Sequence, residues 1–304
     1  MANVMRIGGG SGQPNVLTVA VDTGAIITAT NGDKTVVATS VGGKAVLKLP
    51  KAGTWRIVAS KDGQTTEDVI TISDNYPVEV SFGLPLSGLA VGTLVRVREN
   101  GANVSYRIVH QGLPSSMYDA SCNGTWVLRE EIQITMVYHA SYNDYKNSAI
   151  HTYLTGTFLG MFDSSTQAVI KQVKIPYWNG KGNSGSLASG ANGLSTKIFL
   201  LGSAELDLAD NGQYYPSDGA CLNFFLDCSS DDVRRYAYYN GAVTNWWTRS
   251  PYTSHYSSAV CIRGGSGFAE DMGDSAGVRP AFILDSTAMV SGSPNADGSY
   301  TLLV

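Results

Sequence analysis

The chain has 304 residues, which is long enough for two domains with cores of their own. Charged residues make up only 15% and glycine reaches 34 copies, a composition that favours a loop-rich, strand-containing protein of low helix content. The net charge of −4, with Lys and Arg scattered along the chain, argues against nucleic acid as a partner. No apolar run reaches about 18 residues, so we expect no membrane insertion.

The first twelve residues end in Gly-Gly-Gly-Ser-Gly. Residues 1–12 are therefore predicted to form a flexible tether. They contain one arginine and no apolar segment, so we expect no secretory signal and synthesis in the cytoplasm.

Residues 13–84 carry the alternating pattern of short strands. Ala45, Leu47 and Leu49 share one face, and turn residues separate this strand from the next at 50–53. The spacing predicts a small all-β sandwich of about seven antiparallel strands. The run Gly-Lys-Ala-Val-Leu-Lys-Leu-Pro-Lys-Ala-Gly-Thr-Trp-Arg-Ile-Val-Ala resembles the immunoglobulin-like or prealbumin-like modules of surface and phage proteins. The resemblance implies a module that spaces or attaches another domain.

A second domain is predicted at 90–304. Apolar alternation at 91–97 and 106–109 predicts strands. Two helices are then predicted, the first capped by Asp144 and the second opened by a capping box at 164–167.

The segment 246–284 is the most informative part of the chain. Two apolar blocks, Trp-Trp-Thr-Arg-Ser-Pro and Gly-Val-Arg-Pro-Ala-Phe-Ile-Leu, bracket about 25 residues dominated by Tyr, Ser, His, Gly and Asp. This mixture of large aromatic and small polar residues is typical of antibody-like binding surfaces. We therefore expect a display surface held by a rigid scaffold rather than a catalytic constellation.

The residues of these blocks resemble a known family. Over roughly 90–290, the chain is similar to the domain of unknown function, common in gut bacteria and their phages, that ends in Trp-Trp-Leu-Arg-Ser-Pro and Gly-Val-Arg-Pro-Ala. Thr248 replaces the usual Leu, and we expect it at a partly exposed position. That family looks like the variable proteins of diversity-generating retroelements, which adopt a C-type lectin fold.

The resemblance implies an α+β fold class, with a C-type-lectin-like domain at 90–304 preceded by the immunoglobulin-like sandwich. It also implies a variable-type segment at 248–280 and non-catalytic recognition of a ligand. The expected protein is a phage receptor-binding protein of the virion, whose partners are a protein or glycan on a target bacterium and other virion subunits. A bacterial surface adhesin and a purely structural virion protein remain alternatives, and homo-oligomers are possible in each case.

Within the segment, the predicted roles divide into two sets. The structural framework comprises Trp246, Trp247, Arg249, Pro251, Arg279 and Pro280. The ligand-binding face comprises Tyr252, Ser254, His255, Tyr256, Ser257, Arg263, Phe268, Glu270, Asp271, Met272 and Asp274. Both framework arginines are suited to fixed bidentate bonds with carboxylates or carbonyls.

Catalysis, cofactors and metals are not expected. The four histidines lack metal-ligand spacing, and no Gly-x-Ser-x-Gly motif lies in a strand–turn–helix context. The carboxylates of Asp207 with Asp210, or of Asp231 with Asp232, remain an enzyme alternative, although the second pair also suits a helix N-terminus. A calcium site formed by Glu270, Asp271 and Asp274 is a further alternative.

The four cysteines are predicted to be free thiols, because none forms a Cys-x-x-Cys pair and a chain of this length needs no disulfides. If a disulfide exists, Cys221 with Cys228 is the favoured pair.

Overall fold

The structure, a computed structural model, describes residues 3–8, 16–21, 23–61, 63–72, 78–208, 214–292 and 294–304. Strands account for 46% of it and helices for 15%, and the longest helical stretch has 13 residues. The chain is therefore all-β, and the expected α+β class with a C-type-lectin-like second domain is wrong. The chain separates into two compact units, Met1–Leu89 with Thr287–Val304, and Ala90–Ser286.

The first unit begins with eight consecutive strands. They are β1 (Asn3–Gly8), β2 (Val16–Ala20), β3 (Ile26–Asn31), β4 (Lys34–Thr39), β5 (Lys44–Lys48), β6 (Gly53–Lys61), β7 (Gln64–Ile72) and β8 (Val78–Pro85).

These strands form two sheets around a common core. One sheet runs β4-β3-β6-β7, and in the other β2 lies between β5 and β8. The predicted alternation is confirmed, since Ala45, Leu47 and Leu49 are all buried in the core with Trp55. The predicted all-antiparallel arrangement is wrong at one pair, because β2 and β8 run parallel.

The predicted tether contains a strand. β1 pairs antiparallel with β8, so the backbone bonds of a sheet extend into residues 1–12. Residues 1–2 and 9–12 of that prediction lie outside the described residues.

The second unit contains the next sixteen strands of the described chain. They are β9 (Leu94–Glu99), β10 (Ala102–Gly112), β11 (Gly124–Arg129), β12 (Ile134–Val137), β13 (Val173–Ile175), β14 (Tyr177–Asn179), β15 (Ser186–Ala188), β16 (Leu194–Thr196), β17 (Ile198–Phe199), β18 (Tyr238–Tyr239), β19 (Ala242–Val243), β20 (Trp246–Pro251), β21 (Ser258–Arg263), β22 (Ser266–Asp271), β23 (Ser275–Val278) and β24 (Ala281–Leu284).

Two larger sheets organise this unit. One runs β17-β24-β11-β10-β9 and the other β12-β23-β20-β21-β22, while β13-β16, β14-β15 and β18-β19 are separate pairs. The apolar residues that face inward from the first sheet include Trp126, which is fully buried and lies edge-on to Phe199 at 5.6 Å.

The predicted helices exist but are short. They are α1 (Ala149–Tyr153), continued by a π-helical turn at Leu154–Phe158 and a 3-10 turn at Leu159–Met161, and α2 (Ser164–Val169). Their caps differ from those expected, because Ser148 caps α1 and Asp163 caps α2. The side chain of Ser148 accepts the His151 backbone N–H, and that of Asp163 accepts the Thr166 N–H.

Further 3-10 turns lie in the connections. They are Leu86–Gly88, Ala120–Cys122, Tyr145–Asn147, Gly182–Ser184, Gly190–Asn192, Ala204–Leu206, Asn223–Phe225 and Val233–Arg235. No helix of the described residues is long and apolar enough to span a bilayer.

The last strands, β25 (Met289–Ser291) and β26 (Tyr300–Leu303), belong to the first unit. β25 pairs antiparallel with the end of β8, where Val290 is opposite Leu84. Gly83 allows this approach, since a Cβ there would meet the Val290 carbonyl oxygen at 2.1 Å. The predicted second domain at 90–304 is therefore too long, because its last 18 residues belong to the first unit, where β25 pairs with a strand about 200 positions earlier.

Candidate functional site

The first apolar block of segment 246–284 and the start of the second are neighbours in one sheet, whereas Ala281–Leu284 of the second block form β24 in the other sheet. Trp246 at the start of β20 is paired with Gly277 in β23, and the Gly277 N–H donates to the Asn245 carbonyl at 2.8 Å. The chain between them therefore leaves and returns at the same place. It forms a loop at 252–257, the β21–β22 hairpin and a turn at 272–274.

Arg249 in β20 is fully buried and donates to five acceptor atoms. Its Nη1 and Nη2 atoms donate to the two carboxylate oxygens of Glu205 at 2.6 and 2.8 Å, a bidentate ion pair. Its nitrogens also donate to the carbonyls of Pro176, Leu200 and Asp218 at 2.9, 3.1 and 2.7 Å. Arg249 therefore joins four separate segments of the second unit to the sheet.

A second carboxylate lies beside this ion pair. Ser250 Oγ donates to Asp218 at 2.8 Å, and Arg249 Nε lies 3.9 Å from the same carboxylate. Burial raises the pKa of Asp218 to about 6, although the charge of Arg249 acts in the opposite direction. Tyr118 donates its hydroxyl to Glu205 at 2.7 Å, so Glu205 has partners besides Arg249.

Arg279 in the second block is bound differently from Arg249. Its Nε donates to the Arg129 carbonyl at 2.8 Å, and its guanidinium carbon lies 5.1 Å from the centre of the Trp246 ring. Nη1 is buried without a hydrogen-bond partner among the described residues. Burial lowers the pKa of Arg279 to about 10. The bidentate bond expected for Arg279 is therefore wrong within the described part of the chain.

Every residue of β20 is buried, including one expected at a partly exposed position. Thr248 has no exposed surface, and its hydroxyl donates to the Val260 carbonyl at 2.8 Å. β20 lies between β23 and β21, and the burial of all six of its residues shows that both its faces are covered. Trp247 donates its indole N–H to the Met136 carbonyl at 3.0 Å. Pro280 in the second block is also buried.

Most of the residues predicted to bind ligand are accessible. The exposed ones are Ser254, His255, Tyr256, Ser257, Arg263, Asp271 and Asp274, and the half-buried ones are Tyr252, Phe268 and Glu270. Met272 does not belong to the exposed face, because only 5% of it is accessible. Its backbone is fixed at both ends, since its N–H donates to Ser257 and its carbonyl accepts from Tyr138.

Three of these residues form a cluster on the β21–β22 hairpin. The Arg263 guanidinium carbon lies 3.9 Å from the centre of the Phe268 ring, and Nη2 lies 3.4 Å from the Glu270 carboxylate. The hairpin register places Arg263 opposite Ser266 and Cys261 opposite Phe268, which puts the three side chains on one face.

A column of parallel rings marks the loop 252–257. The Tyr252 ring is within 6° of parallel to both Tyr214 and His255, at centroid distances of 5.6 and 5.9 Å. Tyr256, next to the column in sequence, is 67% exposed. Tyr214 was missed by the sequence analysis, because it is 38 positions from Tyr252 and follows no recognisable motif.

The residue that holds this loop was also missed. Asn143 is fully buried, and its Nδ2 donates to the carbonyls of Tyr252, His255 and Ser258 at 3.2, 2.9 and 2.7 Å. Its Oδ1 accepts the Gly182 N–H at 2.8 Å. No pattern in the sequence connects Asn143 with positions more than 100 residues later.

Two polar side chains contact the ring of Tyr142, the residue before Asn143. The Lys181 ammonium lies 3.9 Å from the centre of the Tyr142 ring, a cation–π contact. His139 lies on the same ring at a centroid distance of 4.6 Å. Segments 139–143, 181–182 and 252–258 therefore converge on one surface, which is rich in aromatic side chains.

The acidic residues considered for catalysis have structural partners. Asp232 caps the Val233–Arg235 turn and binds the Arg234 side chain at 2.8 Å, and hydrogen bonds from Arg234 hold its pKa well below its usual value. Asp231 accepts the Ser266 hydroxyl at 2.7 Å. Asp210 lies outside the described residues.

The described residues contain no group of three or more His, Cys, Asp and Glu side chains that could hold a metal ion, and Glu270, Asp271 and Asp274 form no such group. All four cysteines are free, as predicted, and Cys221 and Cys228 are not bonded to each other. Burial raises the pKa of the Cys122 thiol to about 12.

A family model described as a domain of unknown function, DUF6273, matches residues 123–286, more than half of the chain and wholly within the second unit. No curated protein matches the chain. A fimbrial protein from Bacteroides ovatus is similar over 90% of this chain and 71% of its own, at 8% identity and a TM-score of 0.28. A DUF4876 family protein from Bacteroides thetaiotaomicron is similar over 65% and 52%, at 10% identity and a TM-score of 0.16. Likenesses at these TM-scores carry no argument about fold or function.

Proposed function

The chain belongs to the DUF6273 family, and we propose that this member is a non-catalytic recognition protein whose second unit binds a protein or glycan on a target cell. The observation that carries the proposal is the contrast between β20 and the loop that follows it. Every residue of β20 is buried, whereas residues 254–257 are all exposed. Exposed Tyr and His beside Ser is the chemistry of a binding surface.

The geometry of the surface supports the same proposal. Its loop is bound to the sheet by backbone and Asn143 hydrogen bonds, so ordering it on binding a ligand costs little conformational entropy. The aromatic rings of Tyr252 and His255 are held parallel before any ligand arrives. A preorganised aromatic surface of this kind favours recognition over chemistry.

Host recognition by a phage particle, with retroelement diversification of the segment, is the form of this function that we propose. Its support is the sequence resemblance, together with the position of the exposed side chains between two buried blocks. DNA reads from one population should then differ at adenines within codons 252–274 and nowhere else. Reads without such differences contradict diversification and leave recognition by a fixed surface in place.

Alanine substitution tests the recognition surface directly. Labelled protein is incubated with a panel of bacterial cells, and the affinity is compared among Tyr252→Ala, His255→Ala, Tyr256→Ala and Phe268→Ala. Because binding energy concentrates in a few aromatic residues, one or two of these variants should each lose at least about 1–2 kcal/mol.

Tyr238→Ala is the matched control. Tyr238 is 44% exposed, lies in the same unit on β18 and is outside the proposed surface. Its substitution should leave cell binding unchanged. Wild-type affinity in all four surface variants would place the ligand site elsewhere.

A further inference from the structure

We infer that Asn143 is the positioning residue of the recognition surface, because it determines the backbone path of loop 252–257. The effect of Asn143 on ligand binding rests on the proposed function, whereas its hydrogen bonds to the loop do not. Asn143 has no exposed surface, so it cannot touch a ligand. Any effect that it has on binding must therefore pass through the loop.

The side-chain amide of Asn143 is at the centre of the loop. Its Nδ2 has two hydrogens and three carbonyl acceptors within 3.2 Å, so one hydrogen is shared between two carbonyls. The backbone N–H of Asn143 donates to a fourth carbonyl, that of Tyr256, at 3.0 Å. One residue thus satisfies carbonyls at both ends of the loop and in its middle.

The loop has weak bonds of its own. It is closed by the Tyr252 N–H, which donates to the Ser258 carbonyl at 3.0 Å. The bonds from His255 N–H to Tyr252 and from Ser258 N–H to His255 are longer, at 3.3 and 3.4 Å. Each of the three carbonyls thus has one backbone donor, and the Asn143 amide supplies a second, which fixes this turn of the backbone.

Asn143 also binds a second segment to the loop. Its Oδ1 accepts the Gly182 N–H at 2.8 Å. Gly182 has φ +38, and a Cβ there would lie 3.2 Å from the Tyr256 backbone nitrogen. Asn143 therefore holds 252–257 against the segment that carries Lys181.

The conformation of the loop determines how its rings are presented. Tyr252 and His255 stack at 5.9 Å with 6° between their planes, and the carbonyls of both residues are acceptors of the Asn143 amide. Without that amide the two backbone positions are joined more weakly, by the 3.3 Å bond from the His255 N–H to the Tyr252 carbonyl. The stack should then be lost, and the surface should become mobile.

Amide hydrogen exchange of the full-length chain tests the inference without any ligand. In Asn143→Ala, the amides of Tyr252, His255 and Ser258 should exchange at least about tenfold faster than in the wild type. In Asn143→Asp the same three amides should exchange faster still, because an ionised carboxylate only accepts hydrogen bonds and would face three carbonyl oxygens. A residue that merely filled space would show the opposite order, since Asp is closer to Asn in volume.

Asn147→Ala is the matched control. Asn147 lies four residues away, is exposed, and donates its Nδ2 to Asp144 at 2.7 Å without reaching the loop. Its substitution should leave the three loop amides as in the wild type. Amides of β10 and β11 serve as the internal reference for the rest of the unit.

The outcomes separate cleanly. Faster exchange confined to the loop supports the inference, and wild-type exchange in Asn143→Ala overturns it. If protection in β10 and β11 falls as well, the milder variant Asn143→Ser, whose hydroxyl keeps one donor, is measured instead. Faster exchange confined to the loop in Asn143→Ser supports the inference, and any other pattern of exchange overturns it.

Binding of the same variants to the cell panel then tests the proposed function separately. Asn143→Ala should lose at least about tenfold in affinity. Faster loop exchange with unchanged affinity would leave Asn143 as the residue that positions loop 252–257 and show that the ligand binds elsewhere, which contradicts the proposed function alone.

Discussion

Strand β20 and the loop after it are alike in composition and opposite in environment. β20 reads Trp-Trp-Thr-Arg-Ser-Pro, and residues 252–257 read Tyr-Thr-Ser-His-Tyr-Ser. Each six-residue stretch has two large aromatic residues, a threonine, at least one serine and one basic side chain, Arg249 or His255. All of β20 is buried, whereas four residues of the loop are exposed.

The difference shows that position in the sheet, rather than residue type, decides which side chains are free. β20 is a central strand and its polar groups find partners inside the unit, as Thr248 does with Val260. The loop lies beyond the end of that strand, where residues 254–257 are exposed and the backbone is held by hydrogen bonds. Substitutions should therefore be costly in the first stretch and cheap in the second.

The largest effect is expected at Arg249. Arg249→Met leaves Glu205 as a buried carboxylate without its ion-pair partner, which typically costs about 3–5 kcal/mol. Urea unfolding, followed by the fluorescence of the buried tryptophans, should show a loss of this size. A loss below about 1 kcal/mol would mean that the buried network does not hold the framework.

A pH-dependent effect of intermediate size is expected from Asp218. Its folded-state pKa is raised to about 6 from 3.8, so the folded state favours the protonated carboxyl. The stabilisation is complete below about pH 4 and is lost as the pH rises through about 6, a change on the order of 2–3 kcal/mol. Urea unfolding at several pH values between 4 and 7 measures it.

Asp218→Asn is the control for this titration. Burial lowers the pKa of His110 and His151, which makes stability fall as the pH falls and so opposes the effect of Asp218. The difference between the wild type and Asp218→Asn removes these contributions. If that difference is the same at pH 4 and pH 7, Asp218 does not titrate as described.

The smallest effect on stability is expected at Arg263, an arginine in the segment between the blocks that serves as the comparison for Arg249. Its side chain is 60% exposed and its ion pair with Glu270 is 3.4 Å long, so Arg263→Met should cost no more than about 1 kcal/mol. The same urea assay applies. Equal losses at Arg249 and Arg263 would contradict the contrast between framework and surface.

Local patterns predicted much of the strand structure. The alternation of Ala45, Leu47 and Leu49 places one face of β5 in the core, because the two-residue period of a strand is a property of the backbone. The helical spacing of Ile150, Tyr153 and Leu154 also predicted a helix that the structure contains. That helix is too small a part of the chain to make the fold α+β. Thr152, Thr155 and Gly156 are poor helix formers, and the helix is correspondingly short.

The sequence by itself determined where many of the strands lie and that two apolar blocks bracket a polar, aromatic segment. Tertiary structure alone decided which residues became partners: Glu205 and Asp218 for Arg249, Asn143 for loop 252–257, and β8 for strand β25. It also buried Thr248 and Met272. Periodicity is a local property that a sequence displays directly, whereas a hydrogen bond between residues more than 100 positions apart exists only once the sheets have formed.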